Sequence, residues 1–388
     1  MIKYLKLFDT HTDYNTYINR SDKVLPNVSY CENENEVHYN PWVETRVVVK
    51  INVTDTTNPT YFFNNPTILN EVEIDGVIQP SAVNSYTFET TGEHTVKIKL
   101  NDGITTLNSG SFAGQAKVVS ITIPNSITSI GDYTCSSCTA LTNVTIPDSV
   151  TTIGKSAFGG CTALTSVVIP NSVTTIGDNA FYGCTSLTSV TLNSIAVVSK
   201  IYTSSLSFNN IFGNQVTEYI IGNSVTSIGD YAFNGCTNLT NIIIGNDVTT
   251  IGENAFRYCT GLISVTIPNS VTTISNYSFI SCSGLTNITI GNGVTTIGSY
   301  AFFNCTGLTS VIIGNSVTEI RGSAFKDCTG LTSIISLATT APTIESDTFQ
   351  LIKTEGTLTV PSGSTGYDVW MGTGNYYLGK YNWTKVEQ

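Results

Sequence analysis

Charge is what this sequence has least of. Only 12% of its 388 residues are Asp, Glu, Lys or Arg, about half the share of an ordinary globular chain. Helices favour exposed Glu, Lys and Arg on their outer faces, so the composition suits β-rich, turn-dense structure far better than a mostly helical fold. The shortage is greatest on the basic side: 17 Lys and Arg against 28 Asp and Glu leave a net charge of −11. No basic cluster occurs, and phosphate binding needs one, so nucleic acid is not expected as a partner. Long apolar runs are missing as well. With no stretch of about 20 apolar residues, membrane insertion is not expected. Lys3, Lys6 and Asp9 interrupt the opening MIKYLKLFD, which leaves no signal-peptide core of about 7–15 apolar residues. Either the protein stays where it is made, or it reaches an extracellular, cell-surface or virion location by a route other than a standard signal peptide.

Catalytic groupings are also scarce. The three histidines are His11, His38 and His94, and none has Cys, Asp or Glu at ligand or triad spacing. His38, near Glu34 and Glu36, is the best metal candidate, and ordinary surface residues are the simpler reading. Ser and Thr abound but lack a neighbouring base to activate them. Glu218, Glu253 and Glu319 are scattered rather than paired as glycoside hydrolysis requires. Glycines occur singly, without phosphate-cradling spacings. No catalytic residue, metal site or cofactor is expected, and the chain does not read as an enzyme.

What the sequence has in excess is repetition. LTSVVIPNSVTTIGDNAFYGCTS at 164–186 has close copies on both sides. Cys138, Cys161, Cys184, Cys236, Cys259, Cys282, Cys305 and Cys328 recur at steps of 23, with one step of 52, which is 46 plus 6. A cysteine fixed in such a register reads as a small buried hydrophobe; disulfides and metal binding are the alternatives. Cys135 and Cys138 form a C-x-x-C, but Cys135 occupies the register of Phe112, Phe158 and Phe181, again a core position. Within a unit, V-x-I has the period of a strand with two residues inward and one outward. Turn formers follow, then a second apolar pair and a glycine. D-N-A-F-Y-G-C reads as a short helical turn capped by Asp178 and burying Ala180, Phe181 and Cys184, with Asp230 in the same place later.

One unit cannot fold alone. About eight apolar side chains at roughly 1.5 kcal/mol each give ~12 kcal/mol, whereas ordering 23 residues costs roughly 1–2 kcal/mol apiece. Stacked neighbours must cover both flanks, so the repetition itself makes the fold stable. About eleven coils are expected, a rod of roughly 50 Å at ~4.8 Å per strand.

The unit I-G-x-x-A-F-x-x-C-x-x-L-x-x-V-x-I-P resembles the BspA-like class of bacterial leucine-rich repeats over about residues 104–350. The resemblance implies a right-handed solenoid with a parallel sheet on one face. It also implies surface proteins that bind host or matrix proteins and other cells. The opening segment, with F-D-T-H-T-D-Y, resembles the start of proteins of gut bacteria and their phages, some of them structural or tail-associated.

The expected fold class is mainly β with short helical turns: a leucine-rich-repeat solenoid with a parallel sheet, preceded by a small immunoglobulin-like β-sandwich. Residues 1–42 form an N-terminal attachment segment. Residues 43–101, where R-V-V-V-K-I-N-V and H-T-V-K-I-K-L alternate, form the sandwich. Residues 102–350 form the solenoid, with an insertion near 193–213. Residues 351–388 form a C-terminal cap, in which Trp370, Tyr376, Tyr377, Tyr381 and Trp383 close the open end or offer a carbohydrate platform.

Candidate ligand contacts fall in three groups. Ile220 and Ile243 belong to two outward stripes of the sheet, which are nearly uncharged and otherwise read as a solvated face. Tyr182, Arg257, Tyr258, Tyr277 and Tyr300 occupy the variable positions around A-F-x-x-C, together with Phe303 and Lys326. Interface-type residues collect there, and drift at positions free of packing duties is the plainer account. Lys200 and Tyr202 lie in the insertion, which is either a recognition loop or a tolerated one. These features point to a non-enzymatic binding or adhesion scaffold that recognises protein or glycan on a host or neighbouring cell. The alternative is a structural phage virion or tail component that contacts other virion proteins, with the solenoid projecting.

Overall fold

The computed structural model describes residues 46–374 and 377–388, together with the backbone of two paired strands, Val28–Cys31 and Glu36–Tyr39. The attachment segment, His11, the surroundings of His38 and Tyr376 thus lie outside the described residues or largely so.

Each 23-residue unit is one coil of a parallel β-solenoid. The V-x-I strands keep the expected alternation, exposed then buried, in Ser166–Ile169, Ser264–Ile267 and Asn287–Ile290. They stack in parallel with equivalent residues opposite one another, as in Val167↔Val190 and Ile288↔Val311. A second parallel sheet, on another side of the coil, joins two-residue strands such as Thr250–Ile251, Thr273–Ile274 and Thr296–Ile297. The third side closes with tight turns. Bonds from Tyr182 N to Asn179 O and from Cys184 N to Phe181 O link residues three apart, and Phe158 N reaches Ala180 O of the next coil. Continuous helix is prevented there because two positions per coil take left-handed backbone, for example Asn254 at φ 54° and Tyr258 at φ 60°. Asp230, one of the two acids expected to cap these turns, acts instead on the following coil, as does Asp132 in its register. Asp132 Oδ1 accepts from Lys155 N, and Asp230 Oδ1 from Glu253 N, each at 2.7 Å. A carboxylate one coil away meets an N–H that the sharp bend leaves otherwise unpaired.

Equivalent side chains form columns inside the rod. Phe233, Phe256, Phe279, Phe302 and Phe325 stack nearly parallel at 4.9–5.3 Å. The described cysteines are free and buried. Seven of these thiols donate to the carbonyl of the Phe-register residue one coil earlier, as from Cys259 to Phe233 O and from Cys282 to Phe256 O, both 3.1 Å. Threonine, abundant in the composition, forms columns outside. Thr151, Thr174, Thr249, Thr272, Thr295 and Thr318 each donate a hydroxyl to the carbonyl of the Thr (or Thr-register residue) one coil back, at 3.0–3.3 Å. Asparagine does the same with backbone N–H groups: Asn269 Oδ1 accepts from Asn292 N, and Asn292 Oδ1 from Asn315 N. Polar but uncharged residues thus satisfy backbone groups that the short strands cannot pair.

Both ends differ from expectation. The alternating strands before the solenoid exist at Arg46–Val53, Leu69–Ile74, Val77–Ile78 and Gly92–Leu100. They do not make the two comparable sheets of an immunoglobulin sandwich. They form one antiparallel sheet that joins the first long solenoid strand, Val118–Thr122, through Ile121↔Val49, with a two-stranded ribbon of Thr60–Tyr61 and Ser85–Tyr86 beside it. Joining covers an edge that both units would otherwise expose. At the other end, the parallel sheet continues past residue 350 through Thr357–Val360 and Thr384–Glu387, although the sequence period has vanished. The aromatic lid is present. Trp370 is buried 5.3 Å from Phe349, and its indole N–H donates to Pro342 O. Counting these strands, twelve long strands follow one another along the described solenoid.

Candidate binding surfaces

The long-strand sheet presents an outward face built from alternate strand positions. From Ser120 to Ile335 its outward positions are Ser, Asn, Thr, Val and Ile, and Glu218 is the one charge among them. Glu218 accepts from Asn241 Nδ2 at 2.8 Å and from Ser189 Oγ at 3.1 Å. Ile220 pairs with Ile243 across adjacent strands. Val168 and Ile243 are 52% and 49% exposed, which puts apolar surface in water.

This sheet is interrupted twice. Neighbouring long strands are laddered except between Asn143–Thr145 and Ser166–Ile169 and between Asn241–Ile243 and Ser264–Ile267. In several other coils the residue just after a strand donates back to the preceding strand, as Asn193 N does to Ile169 O and Gly222 N to Leu192 O. At the two interruptions that residue is Pro170 or Pro268, which has no N–H, so the rung is lost. Pro147 and Pro361 stand at the same place in strands that three residue pairs each still hold to the one before, so a proline there does not by itself break the ladder. A cleft opens at each interruption, about 300 Å³ along Asn143–Ile146 and Ser166–Val168 and about 350 Å³ along Asn241–Ile244, Ser264, Thr266 and Pro268.

The insertion holds a third hollow, about 70 Å³, lined by Ile176, Lys200, Ile201, Tyr202, Leu206 and Ile211 among others. Its two short helices are Ile195–Val198 and Phe208–Phe212. Phe212 continues the aromatic column from Phe181 at 5.3 Å, and Phe208 meets Phe233 at 4.9 Å, so the extra residues leave the core unbroken. Tyr202 is not an exposed contact. It is buried with its hydroxyl donating to Val197 O, and burial pushes its phenol pKa up. Lys200 lies 5.5 Å from the centre of that ring. Ile201, at 73% exposed, and Leu206 supply the exposed apolar surface instead.

Tyr182, Arg257, Tyr258, Tyr277 and Tyr300 lie on the turn side. Arg257 stacks on Tyr258 at 4.6 Å and donates to its hydroxyl. Tyr277 and Tyr300 stack at 5.1 Å. Tyr258, Tyr277 and Tyr300 have φ of 57–60°, a region that bulky side chains rarely enter. The candidates therefore lie on different surfaces, with Ile220 and Ile243 on the sheet, Lys200 in the insertion and the aromatics on the turns. Val168 was readable from the outward stripe; the clefts were not, because proline also stands at 147 and 361, where the ladder is kept. Among the described residues, no three His, Cys, Asp or Glu side chains gather as a metal would need, and no helix is long and apolar enough to cross a membrane.

The chain is similar to several solved structures. A leucine-rich repeat protein from Bacteroides ovatus ATCC 8483 is 22% identical over 94% of this chain and 100% of that one, with a TM-score of 0.35. A leucine rich cell surface protein from Faecalibacterium prausnitzii A2-165 is 26% identical over 75% and 83%, with a TM-score of 0.33. The pneumococcal vaccine antigen PcpA is 19% identical over 75% and 86%, with a TM-score of 0.38. No curated protein matches the sequence. Residues 81–212 and 205–332, more than half of the chain, match the BspA type leucine rich repeat region in six copies. The protein belongs to the BspA-type leucine-rich repeat family.

Proposed function

We propose that the protein is a non-catalytic recognition scaffold whose solenoid binds protein or glycan, displayed on a bacterial surface or a phage particle. The sheet face carries this reading: a rigid, nearly uncharged surface that keeps Val168 and Ile243 exposed. Isolated exposed apolar residues are ordinary, but here they border built clefts, and patches of that kind mark interaction sites. The family match begins at residue 81, so the particle variant of this proposal draws only on the opening segment. Deleting residues 1–42 and measuring incorporation into particles would separate the two settings.

The test is to immobilise the full chain and apply panels of matrix proteins and glycans at low and high salt. An uncharged face predicts a ligand whose retention changes little with salt, because few ion pairs are available to screen. Val168→Asp together with Ile243→Asp should abolish retention while leaving the melting temperature unchanged. Release by modest salt, or retention by the double variant, would overturn the assignment to this face. Turnover of a panel member would overturn the non-catalytic reading.

A further inference from the structure

The two sheet clefts share one construction. The inward residues beneath them, Val144, Ile146, Ile242 and Ile244, are 5–8% exposed, whereas Val190, Leu192 and Val311 at equivalent places are fully covered. Each cleft thus has an apolar floor that solvent reaches. Each has one exposed aliphatic rim residue, Val168 or Ile243, and Asn, Ser and Thr around it. Four strand intervals separate them, roughly 19 Å at ~4.8 Å per strand. Glu218 lies between, about 12 Å from the first cleft and 7 Å from the second by the same spacing. Its two hydrogen bonds leave carboxylate lone pairs free to accept from a cation.

An extended peptide advances roughly 3.3 Å per residue and places alternate side chains on one side. Residues i and i+6 are then about 20 Å apart on the same side, and i+4 lies about 13 Å from i. We infer that the clefts and Glu218 together bind an extended segment of a protein partner, running along the solenoid axis, with branched aliphatic residues at i and i+6 and Lys or Arg at i+4. This deepens the scaffold proposal and rests on it. The lone carboxylate favours a cationic peptide over a neutral glycan, since the rest of the face has no charge to complement.

The probe is a fluorescein-labelled nonapeptide, GLTSTKTLG, titrated with the full chain and followed by anisotropy. Saturable binding is expected. Moving the second Leu one place inward, as in GLTSTKLTG, should weaken it at least about tenfold, the size of a lost aliphatic contact. Val168→Asp and Ile243→Asp should each do the same. Glu218→Gln should weaken GLTSTKTLG but leave a peptide with Thr in place of Lys unaffected. All three substitutions are at outward positions, and unchanged circular dichroism and melting would show that the fold is kept. Equal affinity for the shifted peptide, or no saturation up to about 1 mM, overturns the inference. Capture of a panel protein or glycan through the same face, lost in the Val168→Asp and Ile243→Asp double variant, by a chain that ignores the peptide would overturn this inference while the scaffold reading stands. Failure of both would end both.

Discussion

Tyr219 shows how much a single residue can be asked to do in a stacked fold. It pairs with Val190 and Ile242 on the neighbouring strands, yet its side chain is far larger. In its coil, Gly213 holds the place that a cysteine holds in the others, three residues before the Leu-register Val216. The phenol ring fills the space, 5.0 Å from Phe233 and 6.0 Å from both Phe208 and Phe212. Its hydroxyl is buried and has no hydrogen-bond partner, an arrangement that costs about 1–3 kcal/mol. Tyr219→Phe is therefore expected to stabilise the protein by about 1 kcal/mol, read as a higher urea midpoint with an unchanged slope. A lower midpoint would mean that the hydroxyl has a partner in solution. As a contrast, Phe256→Ala removes one ring from the stack and should cost about 3–5 kcal/mol.

At the scale of elements, the N-terminal sheet carries most of the ion pairs among the described residues. Arg46 pairs with Glu71 and Glu73, and Lys97 with Glu73. His94, on Gly92–Leu100, bonds Asp75 through Nδ1 at 2.6 Å and Thr90 O through Nε2 at 2.9 Å, with the Phe88 ring 4.4 Å away. Burial lowers the imidazole pKa, but the Asp75 hydrogen bond, the Thr90 carbonyl and the Asp75 charge outweigh it and raise it. A raised pKa in the folded state means a stabilisation fully present below the unfolded value of about 6.5 and lost as pH rises through the folded value. The stability difference between wild type and His94→Gln should accordingly be larger at pH about 5.5 than at pH about 9. Hydrogen exchange at Thr95 would report it locally, and a difference independent of pH would rule the pair out as a contributor. The strands of this sheet were legible from alternation. Their joining to the solenoid was not, because an edge-to-edge contact is written in no local pattern.

Across the whole molecule, the columns make stability collective. Burial raises the thiol pKa of Cys135, Cys259, Cys282 and Cys328, and pushes those of Cys236 and Cys305 up to about 12. The unfolded chain releases these protons above about pH 8.5, while the folded chain holds them. Folded stability should therefore fall as pH rises beyond that value, by up to roughly 1.4 kcal/mol per pH unit for each thiol. Urea unfolding at stepped alkaline pH measures the slope, and Cys282→Ala should reduce it by one thiol's share. An identical slope in that variant would show that the thiols do not drive the loss. Salt should matter little to stability for the complementary reason that few charges exist to screen.

Most of the coil was determined by sequence alone: the strand with its inward Val and Ile, the buried Phe and Cys, the glycine bend and the number of stacked turns to within about one. Those features repeat, and a side chain that must pack against its own equivalent one coil away leaves a period in the chain. Three things were decided only by tertiary structure. The capping strands Thr357–Val360 and Thr384–Glu387 follow the sheet without following the repeat, because backbone pairing needs no particular side chain. Tyr202 turned inward because the inserted residues folded over it. The sheet clefts lie where the long strands lose their ladder beside Pro170 and Pro268, while Pro147 and Pro361 at the same place leave it intact, a difference decided only when the coils are stacked.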